Sequence, residues 1–246
     1  MAKIAGNPLI NPLDEENEMP LLDSKKMEKL AYWFFRLNGF LTIENFVVHP
    51  NDGSDPHTDI DLLSVRFPYR KELPENPIPM KDYELFVRER DRIQIYLVEV
   101  KASKCRLNET WTNRDNMQQI MSAVGLFKEE EVNVVSEALC NQGFYKNNDF
   151  YVSLLCFGSE TNPYLPIRTV PQIILNNALS FIYERFKKYP DQKVSHGQWD
   201  IFGRNLWHCA KKPCNFGEFR MKVIDKLLKS SAICDSHAKC SLCLWL

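Results

Sequence analysis

Ile93-Gln94-Ile95-Tyr96-Leu97-Val98-Glu99-Val100-Lys101 is the stretch on which the reading of this chain turns. An apolar, β-branched run of this length reads as a strand buried on both faces. Its end breaks that pattern by setting a carboxylate and an ammonium two positions apart. Side chains alternate along a strand, so Ile93, Ile95, Leu97, Glu99 and Lys101 point to one face. Taking a carboxylate out of water costs several kcal/mol unless it is paired or holds a metal. Two charges closing a core strand therefore call for a third partner.

Thr58-Asp59-Ile60-Asp61-Leu62-Leu63-Ser64-Val65 is the second strand candidate, with Asp59, Asp61, Leu63 and Val65 expected on one face. If the two strands are neighbours, Asp61 and Glu99 converge on one hard cation with Lys101 beside it. Asp59 competes for the same role. Asp61 is preferred because apolar residues follow it directly.

The rest of the chain supplies the elements around these strands. Residues 1–23 carry Pro8, Pro12, Pro20 and the acidic run Asp14-Glu15-Glu16, which suits an extended lead-in. Ser24 is the expected N-cap of a helix with Met27, Leu30, Ala31 and Phe34 at helical spacing, Glu28 at the edge of the apolar stripe, and Asn38-Gly39 as the stop. Phe40 to Val48 reads as a strand and Asn51-Asp52-Gly53 as a hairpin turn. Residues 68–92 form a proline-rich, charged insertion. After Lys101, Thr112 or Asn113 caps a helix through Met117, Ile120, Met121, Val124 and Phe127, with Glu129-Glu130-Glu131 marking its exposed end. Tyr151 to Phe157 reads as another buried strand, Ile167 to Val170 as a short one, and Pro171 as the opening of a helix carrying Ile173, Ile174, Ala178, Phe181 and Ile182. A final helix is expected from Phe216 to Ser230. Helix, three strands, helix, strand is an α/β arrangement around a central mixed sheet flanked by helices.

Composition narrows the function classes. The 246 residues hold 31 basic and 32 acidic side chains, a formal charge of -1, so any grip on nucleic acid must come from a local basic surface. No apolar run reaches transmembrane length and Met1 to Glu18 lacks a signal-peptide pattern, so a cytoplasmic protein with no membrane partner is expected. Eight cysteines in that setting read as reduced thiols or metal ligands.

An Asp on one hydrophobic strand followed by Glu-x-Lys ending the next, behind a helix bearing Glu28, resembles the PD-(D/E)xK nuclease superfamily. The phrasing of Ile60-Asp61-Leu62-Leu63 and Leu97-Val98-Glu99-Val100-Lys101 looks like its restriction-endonuclease-like and Holliday-junction-resolvase-like members. The resemblance covers roughly residues 24–157 and implies an α-βββ-α-β core, placed here within residues 24–190. It implies a Mg²⁺ or Mn²⁺ ion held by Asp61, Glu99 and the Val100 carbonyl, with Lys101 orienting or activating the attacking water and Glu28 assisting. It also implies phosphodiester hydrolysis, in the manner of a DNA endonuclease of a bacterial defence or repair system. Some branches of the family carry Gln and, four positions on, Tyr on the helix after the lysine. Here Gln118 and Gln119, candidates for touching phosphate or water, are followed at that spacing by Ser122 and Ala123. The rival expectations are RNA as substrate and a scaffold of this fold that binds nucleic acid or a protein without cutting.

Residues 191–246 form a basic, Cys-containing C-terminal region expected to be small and helical. Lys211, Lys212, Arg220, Lys222 and Lys226 interleave with Trp199, Phe202 and Trp207, a combination that can grip a nucleic-acid backbone. Cys209, Cys214, Cys234, Cys240 and Cys243 with His208 and His237 include one Cys-x-x-Cys spacing suited to structural Zn²⁺. The near-neutral chain also suits a protein partner, such as an ATPase or helicase, that holds the substrate.

Overall fold

A computed structural model describes residues 21–49, 58–73, 75, 80–194, 197, 199–211 and 213–230. The N-terminal lead-in before residue 21, the Asn51-Asp52-Gly53 turn, Lys212, and the cysteines and His237 beyond residue 230 lie outside the described residues.

Helix α1 spans Ser24–Leu37. Asp23 caps it, its carboxylate accepting from the Lys26 N–H at 3.0 Å, so Ser24 is the first helical residue and not the cap. The cap moves one position because the ionised Asp23 side chain takes the free first-turn donor. Strands β1 (Leu41–Val48), β2 (Thr58–Arg66) and β3 (Ile93–Val100) follow, each antiparallel to the one before. The insertion between β2 and β3 contains the short helix α2 (Glu84–Val87) and is anchored through Asp82, whose carboxylate accepts from Arg66 and, at 3.0 Å, from Arg185.

After β3 come a 3₁₀ turn (Glu109–Thr112) and helices α3 (Arg114–Val124) and α4 (Glu129–Gln142). The single helix expected here is two. Gly125, at φ 68°, adopts the left-handed conformation that ends α3. Glu129, Glu130 and Glu131 then open α4, where carboxylates complement the positive end of the helix dipole, and are not the frayed end of α3. Strands β4 (Phe144–Lys146), β5 (Phe150–Gly158) and β6 (Gln172–Ile174) complete the sheet. β4, unforeseen in the sequence, folds back antiparallel on β5, and β5 runs parallel to β3.

Two further expectations are corrected beside β5. Ile167 to Val170 closes as a turn, the Val170 N–H donating to the Ile167 carbonyl at 3.2 Å, instead of forming a strand. Pro171 opens β6 and not a helix, because the edge of β5 captures the next residues: the Cys156 N–H donates to the Pro171 carbonyl at 3.0 Å, and Phe157 pairs with Ile173. A proline is tolerated at the start of an edge strand. Helix α5 begins only at Leu175 and runs to Lys188.

Helix α6 (Ile201–Lys211), not anticipated, precedes α7 (Phe216–Val223), which passes into a π-helical turn (Ile224–Leu228) and so stops short of Ser230. Among the described residues the sheet has six strands in the order β1-β2-β3-β5-β4, with β6 beside β5, and the architecture is α/β with a mixed sheet. Leu62, Tyr96, Val98, Val100, Leu155 and Phe157 bury one face beneath α1, α5, α6 and α7. Ile95, Leu97, Val152, Leu154 and Cys156 bury the other beneath α3 and α4. Trp199, Leu206, Trp207 and Phe219 from beyond residue 190 share the first core with α1. Among the described residues no helix is long and apolar enough to cross a membrane.

Candidate functional site

Asp61 and Glu99 stand across from each other, one step beyond the Leu62–Val98 pair that ends the β2–β3 ladder. The Asp61 charge reaches Glu99 and adds to the rise of its carboxyl, so two carboxylates act on one another here. The Asp61 Oδ2 accepts from the Val100 N–H at 2.7 Å, which ties β2 to the end of β3 through a side chain where the backbone ladder stops.

A local distortion lies opposite Asp61. Asn45 on β1, opposite Asp61 in register, has φ 51°. Alternation is interrupted on both strands at this point. Glu44 binds Lys29 of α1 at 2.6 Å, whereas Phe46 packs into the core beneath α3 and α4. Leu62 likewise belongs to the α1 core and Ile60 to the opposite one. The single face expected for Asp59, Asp61, Leu63 and Val65 therefore does not persist along β2. Asp59 is exposed, while Asp61 is half-buried.

Glu99 is 3% exposed, and both of its oxygens are engaged. Oε1 accepts from the Lys101 ammonium, and Oε2 accepts from the Trp111 indole N–H at 2.6 Å. Glu28, buried on α1, accepts from Lys25 at 3.0 and 3.1 Å through its two oxygens, and Lys25 also reaches the Asn45 side chain at 3.4 Å.

The electrostatics follow from this crowding. Burial pushes the Glu99 carboxyl above its ordinary value, with the Asp61 charge adding to the rise, while Lys101 and Trp111 pull it back. Burial raises Asp61 as well, Asp59 adds to it, and the Val100 N–H, Lys101 and Lys25 oppose it. Glu28 rises through burial, opposed by Lys25 and assisted by Asp61 and Glu44. Lys25 is raised, chiefly by its hydrogen bond to Glu28. Asp61 thus stands within electrostatic reach of both Glu28 and Glu99.

Such a cluster fits a hard cation. Among the described residues no three His, Cys, Asp or Glu side chains are grouped to hold a metal, so the set the resemblance implies is two carboxylates, Asp61 and Glu99, with the Val100 carbonyl. These are oxygen donors of the type Mg²⁺ and Mn²⁺ prefer, and a cation between them would offset the burial that raises both carboxyls.

The other candidates lie apart from this cluster. Gln118, on α3, donates to Asn133 of α4 at 2.7 Å, which gives it a helix-pairing role, and Gln119 is exposed on the same helix. Lys211 ends α6 with its ammonium 4.8 Å over the Trp207 ring, beside a groove of about 820 Å³ that His208, Lys222 and Lys226 also line. Of the zinc candidates, Cys209 and Cys214 are adjacent, the Cys214 thiol 3.6 Å from the Cys209 carbonyl. Sequence reasoning passed over Lys25 and Trp111. Trp111 carried one available signal, a lone large aromatic amid the polar run Asn108-Glu109-Thr110 and Thr112-Asn113. No protein-family model, curated protein or solved structure matches this chain.

Proposed function

We propose that this protein is a metal-dependent nuclease of the PD-(D/E)xK kind, hydrolysing phosphodiester bonds, with DNA as the first substrate to test. The observation that carries the reading is the Asp61 carboxylate bonded to the Val100 N–H next to Glu99, with Lys101 bonded to that same glutamate. The element order supports it: α1, then antiparallel β1, β2 and β3, then helices, then β5 parallel to β3 is compatible with the α-βββ-α-β core that the resemblance implies. A chain with no use for these acids gains nothing by burying them together.

In this reading Asp61 and Glu99 would hold the cation, and the Val100 N–H and Trp111 indole keep their carboxylates in place. Bound Mg²⁺ supplies neutralisation of charge on the phosphoryl oxygens and a more acidic water. Lys101, with ammonium protons beyond the one given to Glu99, orients the attacking water and offsets charge on the phosphate. Glu28 accepts protons or orients water from the α1 side. The near-neutral charge of the chain favours a partner protein that presents the nucleic acid.

The test is cleavage of supercoiled plasmid and of labelled single-stranded DNA and RNA with Mg²⁺, Mn²⁺ or EDTA, comparing wild type with Asp61→Ala and Lys101→Ala. Cleavage that requires the metal and disappears in both variants supports the reading, and the preferred substrate decides between DNA and RNA. Binding of nucleic acid without cleavage, equal in all three proteins, moves the assignment to a non-cutting scaffold.

A further inference from the structure

Glu99 receives two donors of different character. The charged one, Lys101, takes Oε1, and a neutral one, the Trp111 indole, takes Oε2. Trp111 is 1% exposed, set into the core beneath α3 and α4, so its ring has no room to swing away. An indole N–H donates and never accepts, so it holds a carboxylate oxygen without bringing a second charge into the site.

The turn that carries Trp111 is itself fixed. The chain leaving β3 lies along the end of β5: the Lys101 N–H donates to the Phe157 carbonyl at 2.8 Å, the Ser159 N–H to the Ser103 carbonyl at 2.8 Å, and the Cys105 N–H to the Glu160 carbonyl at 2.9 Å. The approach is close enough that a Cβ on Gly158 would stand 2.8 Å from the Ser103 carbonyl oxygen. Farther on, the Trp111 N–H donates to the Asn108 carbonyl at 3.2 Å and the Asn116 side chain to the Thr110 carbonyl at 3.0 Å. The indole reaches Glu99 from a rigid base.

We propose that Trp111 is the positioning residue of this site. Its N–H pins Oε2 and sets the plane of the Glu99 carboxylate, so that a divalent cation would meet Oε1 by its second lone pair, beside the Lys101 ammonium that already holds the first. The proposal rests on the nuclease reading above. Partners that orient a metal-binding side chain in this way are worth ~10–100-fold in metal affinity or activity.

Two substitutions separate orientation from packing. Trp111→Phe keeps an aromatic ring and loses the donor. Trp111→His loses more volume yet can present a ring N–H at the same two-bond remove from Cγ. Mn²⁺ affinity, read by electron paramagnetic resonance well below the melting temperature, should fall ~10–100-fold in Trp111→Phe and recover in part in Trp111→His. Ile120→Val, a core change beneath the same strands, should leave it unchanged. In the ¹⁵N-labelled protein the Trp111 indole resonance should move with Glu99→Gln and with added Mg²⁺. Trp111→Phe binding Mn²⁺ as wild type does, affinity that tracks ring volume through the His variant, or an indole resonance indifferent to Glu99→Gln would each overturn the proposal. A wild-type protein that binds no Mn²⁺ and cuts nothing removes the nuclease reading and the proposal with it, whereas one that binds and cuts while Trp111→Phe matches it removes the proposal alone.

Discussion

Lys101→Ala is the perturbation whose outcome the structure defines most sharply. The Glu99 side chain is 4% exposed and that of Lys101 19%, so truncating the lysine leaves a nearly buried carboxylate facing Asp61 with only the Trp111 donor to offset it. Removing one partner of a fully buried ion pair costs ~3–5 kcal/mol. Lys101 is partly wet and the Trp111 hydrogen bond survives, so about 2–3 kcal/mol is expected near neutral pH. At roughly 2–4 °C per kcal/mol for a chain of this size, that is a fall of about 4–12 °C in melting temperature. The pH dependence gives the sharper test. The Glu99 carboxyl is raised by burial, and loss of Lys101 raises it further. Below its folded pKa Glu99 is protonated with or without Lys101, and there is no charge left for the ammonium to offset. The deficit should therefore be small in acid and grow as pH rises through the raised carboxyl value. Thermal unfolding of both proteins in EDTA, followed by circular dichroism across pH, measures it. A variant melting with wild type at neutral pH, or a deficit of the same size in acid, would refute the account of Glu99 as a buried charge that depends on Lys101.

Three other outcomes follow from the same geometry. Asp61→Asn should abolish cleavage yet raise stability near neutral pH by about 0.5–2 kcal/mol, because it removes repulsion toward Glu99 and Glu28 while the Asn oxygen still accepts from the Val100 N–H; chemical denaturation reads this, and a loss of stability would count against the cluster. Glu28, Asp61 and Glu99 all carry folded values above their unfolded ones, so the stability gap between wild type and Asp61→Asn should widen as pH climbs out of the ordinary carboxylate range, and Mg²⁺ should narrow it. A melting-temperature series with and without the metal shows whether it does. Gly203→Ala, which in an exposed helix would gain about 1 kcal/mol, should destabilise here, because its Cβ would stand 1.9 Å from Cζ2 of Trp33, a side chain 1% exposed and in tilted contact with Trp199, ring centroids 4.7 Å apart. Overpacking of that kind costs ~1–3 kcal/mol, and a rise in melting temperature would mean that α6 does not dock on α1 as described.

Much of the site's raw material was legible one residue at a time. Helical spacing of Met27, Leu30, Ala31 and Phe34, the unbroken apolar run of β3, and charges at its end are local patterns, because burial of a helix stripe or a central strand is written into neighbouring positions. From these the sequence alone determined α1, the three strands β1, β2 and β3 and the buried strand β5, and singled out Asp61 and the Glu99-Lys101 end of β3, whereas that β2 lies beside β3 came from the tertiary structure. What it left undetermined depended on contacts between residues far apart. The split of α3 from α4 turned on Gly125 adopting a left-handed conformation, with the Glu129–Glu131 run then free to start a helix. The capture of Gln172–Ile174 as β6 turned on the open edge of β5. The placement of Asp61 turned on the Val100 N–H at the end of β3, and the engagement of Glu99 on Trp111 arriving from a turn pinned to β5. Periodicity records which residues leave water, but the direction in which a buried carboxylate points and the donor that holds it are settled only when strands, turns and helices close around it.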